Sequence, residues 1–227
     1  SSDLLEAIDG VSVRYVKSVR ELGAPDMIVL PGTKNTMADL LWLRQSGLEA
    51  KILRYAKDGG TVFGVCGGYQ MLGNTLSDPH GVEHGGSLRG MGLLPIETTF
   101  TEQKTRTRVS GTFGQLSGTL SALSKQPFDG YEIHMGRGGG DGPLWCQGSV
   151  YGTYLLGLFD APGISDTVVR TLCQRKGIPF SASCSAVSFD AAAYRERQYD
   201  LLAEAVRKEL DMEWLDRIVR QRKEGKE

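Results

Sequence analysis

The stretch Thr61-Val62-Phe63-Gly64-Val65-Cys66-Gly67-Gly68-Tyr69-Gln70-Met71-Leu72 decides the reading of this chain. An apolar, β-branched run enters a glycine-flanked apex with one cysteine. A segment able to open a helix leaves it. The pattern is strand, sharp turn, helix, the shape that lifts a nucleophile clear of its own backbone. Glycines on both sides permit a strained turn and let another group approach closely. A helix beginning behind the turn offers free N–H groups and a positive dipole end, both of which favour thiolate over thiol. The plain structural alternative is a buried, inert cysteine at a tight strand–helix turn, and context has to choose between them.

The surrounding sequence alternates strands and helices. Val11 to Val16 reads as a strand, and Met27-Ile28-Val29-Leu30 as a short buried one closed by Pro31-Gly32. Asn35 is suited to cap a helix with Met37, Leu40, Leu41 and Leu43 on its apolar face. A second helix runs from about Leu48 to Lys57 and stops at Gly59-Gly60. This βαβ order argues for a parallel sheet covered by helices, with active groups at the carboxyl ends of strands. Two loops leave such ends, Pro31 to Lys34 and Cys66 to Gly68. Further on, Leu93 to Phe100, Thr105 to Phe113 and Phe128 to His134 read as antiparallel strands. Val150 to Phe159 is one more strand and its exit. Asp166 to Lys176 reads as a helix, Ile178 to Ser188 as a loop, and Asp190 as the cap of a long charged helix reaching Leu210. Trp214, Leu215, Ile218 and Val219 form a last amphipathic segment before a solvated tail, Arg220 to Glu227.

Composition narrows the function. The 227 residues carry a net charge of −1, with 40 % apolar and 23 % charged residues, so no global field points to nucleic acid or a membrane surface. No apolar run approaches the ~18 residues of a membrane span. The N-terminus has no signal-peptide pattern, and without an initiator Met the chain is expected to be part of something longer. Cys66, Cys146, Cys173 and Cys184 make no C-x-x-C pair, and His80, His84 and His134 lie at no ligand spacing with them. Neither a metal site nor a disulfide framework is expected, and a reducing cytoplasm is the expected compartment. Gly136-Arg137-Gly138-Gly139-Gly140-Asp141-Gly142 lacks the Lys-Ser/Thr of a phosphate loop and reads as a mobile surface loop. The basic stretch Lys104 to Arg108, interrupted by threonines, reads as an exposed strand face.

Four stretches then occur in order: Leu30-Pro31-Gly32-Thr33-Lys34-Asn35-Thr36, Gly64 to Gly73, Gly90 to Phe100, and Gly130-Tyr131-Glu132-Ile133-His134-Met135-Gly136. They resemble the glutamine amidotransferase domains of cobyric acid synthases, and Tyr194 to Asp200 resembles them too. The resemblance covers nearly the whole chain. It implies a flavodoxin-like class I amidotransferase fold: a mostly parallel central sheet, helices on both faces and additional antiparallel strands. It implies one glutaminase domain over residues 1–227 with a helical extension from about 190. An N-terminal ATP-binding synthetase domain, carrying ATP and Mg, lies outside this chain, which itself holds no cofactor. In such an enzyme the ammonia serves ATP-dependent amidation of peripheral carboxylates of adenosylcobyrinic acid a,c-diamide. The expected partners are glutamine, the synthetase domain and the corrinoid.

The resemblance also implies site residues. Cys66 is the nucleophile, and Gly67 and Gly32 donate backbone N–H groups to the oxyanion. Thr33, Gly68, Gln70, Tyr131, Glu132 and His134 contact substrate. Where the family has Tyr-Leu-His-Gly-Leu-Phe-Asp, this chain has Tyr154-Leu155-Leu156-Gly157-Leu158-Phe159-Asp160. Leu156 occupies the position of the catalytic histidine and cannot move a proton. His134 is a weak candidate to replace it, since the family has a histidine there in addition. His80 and His84 read as surface residues. Three readings follow: a glutaminase impaired at Leu156, a pseudo-glutaminase that docks a partner domain or binds corrinoid and leaves the chemistry to free ammonia, and an unrelated cysteine hydrolase.

Overall fold

The computed structural model describes residues 5–6, 8–140, 142–180, 191–212, 214–215 and 217–218. In chain order the elements are α1 (Val19–Leu22), β1 (Met27–Leu30), α2 (Thr36–Gln45), α3 (Leu48–Lys57), β2 (Thr61–Val65), α4 (Gly67–Met71), β3 (Thr75–Asp78), β4 (Gly86–Arg89), β5 (Glu97–Thr112), β6 (Pro127–Arg137), β7 (Trp145–Gln147), β8 (Val150–Thr153), β9 (Leu155–Leu156), α5 (Pro162–Lys176) and α6 (Ala191–Glu209). Residues 1–187 form one compact unit and 188–227 another.

Two sheets organise the larger unit. One has the order β1-β2-β8-β7, the other β4-β3-β5-β6-β9. β1, β2 and β8 are parallel, with Leu30 opposite Gly64 and Val65 opposite Thr153. The two loops expected at strand ends therefore emerge side by side. β2 is buried along its whole length, as a strand covered on both faces must be. Val62 faces a core with Ile28, Leu30, Val150 and the apolar sides of α2 and α3. Phe63 points the other way, against Tyr151 (ring centroids 6.2 Å apart) and Phe159 (5.2 Å). Complete burial of a side chain such as Phe63 stabilises by about 1.5–3 kcal/mol.

The helices follow their local signals. Asn35 Oδ1 accepts from Ala38 N at 2.9 Å, capping α2, and Met37, Leu40 and Leu43 are buried beneath it while Leu41 is only half-buried. α3 spans the residues expected, and the left-handed Gly59 follows it. α5 starts four residues before the sequence suggests, at Pro162, whose missing N–H is harmless in a first turn.

Some expectations fail. Val11 to Val16 is not a strand: it does not pair with β1, whose outer edge stays unpaired among the described residues. Arg14 instead caps α1, donating to the carbonyls of Glu21 (3.0 Å) and Leu22 (3.2 Å). The two strands read over Leu93 to Phe113 are one 16-residue strand, β5, preceded by turns whose Leu93 and Leu94 N–H groups bond Leu72 O. β3, β4 and β7 have no counterpart among the strands read from the sequence. The expected cap Asp190, residues 181–188 of the serine-containing loop, Val219 and the tail from Arg220 lie outside the described residues. In the second unit, α6 exposes Tyr199, Leu201, Leu202 and Val206. Among the described residues no helix is long and apolar enough to cross a membrane.

Candidate active site

Cys66 stands at the carboxyl end of β2 with φ 52° and ψ −111°, one of two non-glycine residues with positive φ among those described. A non-glycine side chain in this region is strained by roughly 1–3 kcal/mol, and the surroundings have to hold it. Its N–H donates to Thr153 O at 2.8 Å, and its carbonyl accepts from Gln70 N at 3.1 Å, opening α4. The flanking glycines make the turn possible. A Cβ on Gly64 would lie 2.8 Å from the Gly68 carbonyl, and a Cβ on Gly68 would collide with the backbone of Leu30.

The expected oxyanion glycines both border the cysteine. Gly32 lies so close that a Cβ on it would touch Cys66 Cβ at 3.4 Å. The Gly67 N–H lies near enough to the sulfur to lower its pKa. Among the described residues the Gly32 N–H makes no hydrogen bond. Thr33 Oγ1 is buried without a partner among them, and Thr33 packs against Gly67. An unpaired buried hydroxyl beside the elbow calls for a partner, whether water or a ligand.

The thiol itself departs from expectation. Burial pushes its pKa up, the Gly67 N–H pulls it down, the Glu83 charge pushes it up and the Lys104 charge pulls it down, leaving it raised. α4 is only five residues long and contributes little dipole. The sulfhydryl donates to Ile133 O on β6 at 3.4 Å, and no hydrogen bond joins it to an imidazole among the described residues. Cys66 rests as a thiol.

β6 carries three of the expected substrate residues, and the sheet separates them. Strand alternation puts Glu132 and His134 on one face and Tyr131, Ile133 and Met135 on the other. Tyr131 pairs directly with Leu156 and Glu132 with Leu155, so Leu156 shares the face of Tyr131. Tyr131 is half exposed and its ring lies beside Gly157. His134 Nδ1 donates to Gly136 O at 3.0 Å, which places its proton on that nitrogen; Nε2 lies 3.9 Å from Glu132 Oε2. The His134 ring stacks on Tyr154 with centroids 3.9 Å apart. The side chain of Gln70 is buried and fully engaged, donating from Nε2 to Met135 O (3.2 Å) and Tyr154 Oη (3.4 Å) and receiving Thr36 Oγ1 on Oε1 (3.2 Å).

The glycine run from Gly136 is anchored rather than free. Tyr154 Oη donates to Gly138 O (2.9 Å) and Tyr69 Oη accepts from Gly140 N (2.9 Å). Gly138 also approaches the Glu97 backbone too closely for any side chain. Burial raises Tyr69, and raises Tyr154 to about 12, so both hydroxyls stay protonated. His80 and His84 do lie in a loop, but its centre is Asp78. Burial alone would raise this carboxylate; N–H donors of Gly85, Glu83, Val82 and His84 outweigh it and hold it at about 2. Glu83, Thr36 and Tyr154 are groups beside the elbow that carry no sequence signal of their own, and the charge of the exposed Lys104 also reaches Cys66. An aspartate followed by Pro-His-Gly was the available sign of an organised turn.

The profile of the CobB/CobQ-like glutamine amidotransferase domain matches residues 2–163. The chain belongs to this family. Cobyric acid synthase of Ruminiclostridium cellulolyticum is 45 % identical over 235 residues, covering 95 % of this chain and 45 % of that protein. The synthase of Lachnoclostridium phytofermentans is 46 % identical over 241 residues, covering 95 % and 46 %. That of Salmonella arizonae is 41 % identical over 241 residues, covering 97 % and 46 %. This amidotransferase domain spans about half the length of the curated relatives it matches. A crystal structure of a glutamine amidotransferase superposes with a TM-score of 0.52 at 17 % identity, over 78 % of this chain and 92 % of that one, a likeness of fold.

Proposed function

We propose that this amidotransferase domain is the glutaminase part of a cobyric acid synthase, impaired because Leu156 stands where the catalytic histidine is expected. The observation that carries the reading is Cys66 in a strained elbow between the backbones of Gly32 and Gly67. Cys66 Sγ attacks the side-chain amide carbon of glutamine, and the carbonyl electrons move onto an oxygen facing the two N–H groups. Collapse breaks the C–N bond, the thiol proton leaves with ammonia, and a thioester remains. Water hydrolyses it to glutamate and restores the thiol. Losing one oxyanion donor costs about 2.7–4 kcal/mol of barrier. The two proton transfers need a base that leucine does not supply.

On this reading the ammonia passes, in the cytoplasm, to corrinoid carboxylates activated with ATP and Mg by a synthetase domain. A second reading draws on the bond from the Cys66 thiol to Ile133 O: a pseudo-glutaminase whose partner domain uses free ammonia. The test is the nitrogen source of the full-length enzyme. Amidation that runs on ammonium salts and poorly on glutamine, with glutamine use restored by Leu156→His, is the expected result. Cys66 left unlabelled by a glutamine-like diazo-ketone even in Leu156→His would refute the glutaminase reading.

A further inference from the structure

The loop between β3 and β4 places a carboxyl against the start of α2. Glu83 Oε1 lies 3.2 Å from Thr36 Oγ1, Glu83 Oε2 accepts from Met37 N at 3.1 Å, and Glu83 O accepts from Asn35 Nδ2 at 3.3 Å. These three residues directly follow the turn that borders Cys66. Asp78 braces the loop from beneath through its four backbone donors.

The protons in this cluster can be counted. Met135 O only accepts, so the Gln70 amide nitrogen faces it and Gln70 Oε1 faces Thr36. Tyr154 Oη gives its proton to Gly138 O and so receives from Gln70 Nε2, which agrees with that orientation. Thr36 has one hydroxyl proton, and Gln70 Oε1 takes it. Thr36 Oγ1 then faces Glu83 Oε1 with lone pairs only. A carboxylate there would take the Thr36 proton and leave Gln70 Oε1 without a donor; a neutral carboxyl donates from Oε1 to Thr36 and still accepts Met37 N on Oε2. Only the neutral acid satisfies every partner.

We propose that Glu83 is a positioning residue whose neutral carboxyl heads a hydrogen-bond chain through Thr36 that fixes the Gln70 side chain next to Cys66. The chain runs Glu83 to Thr36 to Gln70 and ends on Met135 O and Tyr154, so it presses β6 against the elbow at the wall where glutamine is expected. Burial acts in the same direction on Glu83, raising it, against lowering bonds from Met37 and Thr36. The charge facing it from β3 is Asp78, which also raises it, and the titratable group facing it across the elbow is the Cys66 thiol. From α2 it meets Asn35, Thr36 and Met37, none of them titratable. The role in glutamine binding rests on the proposed function; the protonation does not.

Carbon-13 NMR titration of the glutamate carboxyls in the whole chain tests the protonation, with Glu83→Gln identifying the signal. Glu83 is expected to ionise after the surface glutamates, and titration together with them would overturn the proposal. Calorimetry with glutamine tests the role. A glutamine at 83 reproduces both donor and acceptor, so Glu83→Gln is expected to bind within about twofold of wild type, and Glu83→Ala about tenfold more weakly, as loss of one buried hydrogen bond implies. If Glu83→Gln binds as weakly as Glu83→Ala, the neutral-acid chain is wrong. If wild type binds no glutamine while Glu83 still ionises late, the chain stands and the glutaminase reading falls.

Discussion

Replacing Leu156 by histidine should change the pH dependence of Cys66 alkylation more than its rate at pH 7. The thiol lies above its ordinary value of 9.0, so below about 1 % is thiolate at pH 7. A paired imidazole typically brings a cysteine to about 7.5 or lower, where about a quarter is thiolate at pH 7. That is a gain of about 20-fold in the attacking form. Intrinsic nucleophilicity falls with pKa at a slope of about 0.4–0.5, a loss of about fivefold over the same change. The net gain in alkylation at pH 7 is only about fourfold. The profile is the sharper readout: iodoacetamide labelling of the Leu156 chain should climb about tenfold per pH unit from 7 to 9, and that of Leu156→His should flatten below pH 8. Cys146 and Cys173 are also free, so the label must be mapped to Cys66 by peptide mass spectrometry. Glutamine hydrolysis, which needs the base in two steps, should rise by about 10⁴-fold or more in kcat. A Leu156 chain whose Cys66 labelling already levels off below pH 7.5 would refute the reasoning, because some other base would then be serving the thiol.

Gly68→Ala drives a Cβ into the Leu30 backbone of the neighbouring strand, which cannot move without breaking its pairing with Gly64. A loss of about 2–4 kcal/mol is expected, or roughly 5–15 °C in Tm for a chain of this size; a melting point within a degree of wild type would show that the elbow is not held there. Asp78→Ala removes the acceptor of four loop N–H groups and should cost about 2–3 kcal/mol in urea unfolding. Because the native carboxyl is held at about 2, below its ordinary 3.8, its contribution is complete above pH 4 and is lost as pH falls toward 2. The variant should therefore lose part of the acid limb of the stability curve, and an unchanged limb would contradict the assignment.

What could be read from the sequence was whatever a local pattern determines. The elbow, the Asn35 cap and the α3 boundaries each follow from a few adjacent residues. The failures share a different cause. Val11 to Val16 has strand composition, but a strand exists only where a neighbour pairs with it, and β1 offers its other edge to no described strand. The glycine run after Gly136 has linker composition, yet two tyrosine hydroxyls and a close packing against β5 hold it, contacts that lie tens of residues away in the chain. The thiolate expectation erred by magnitude: a five-residue helix offers one favourable N–H, and burial outweighs it.

The histidine question shows how far strand parity reaches. His134 and Leu156 belong to adjacent strands, and a histidine at one looks like a substitute for a histidine at the other. Pairing of Tyr131 with Leu156 puts the 156 side chain on the odd-numbered face of β6, whereas His134 is on the even-numbered face. Bringing His134 to the face of Leu156 would take a one-residue slip of β6, which would also turn the odd-numbered Tyr131, Ile133 and Met135 to the opposite side. The ring is further committed by its Nδ1–H bond to Gly136 O and its stack on Tyr154. On the proposed reading the deficit is therefore confined to one side chain on a two-residue strand. The elbow, its two neighbouring glycines and the braced Asp78 loop keep their own geometry, which is why a single substitution at 156 is the expected repair.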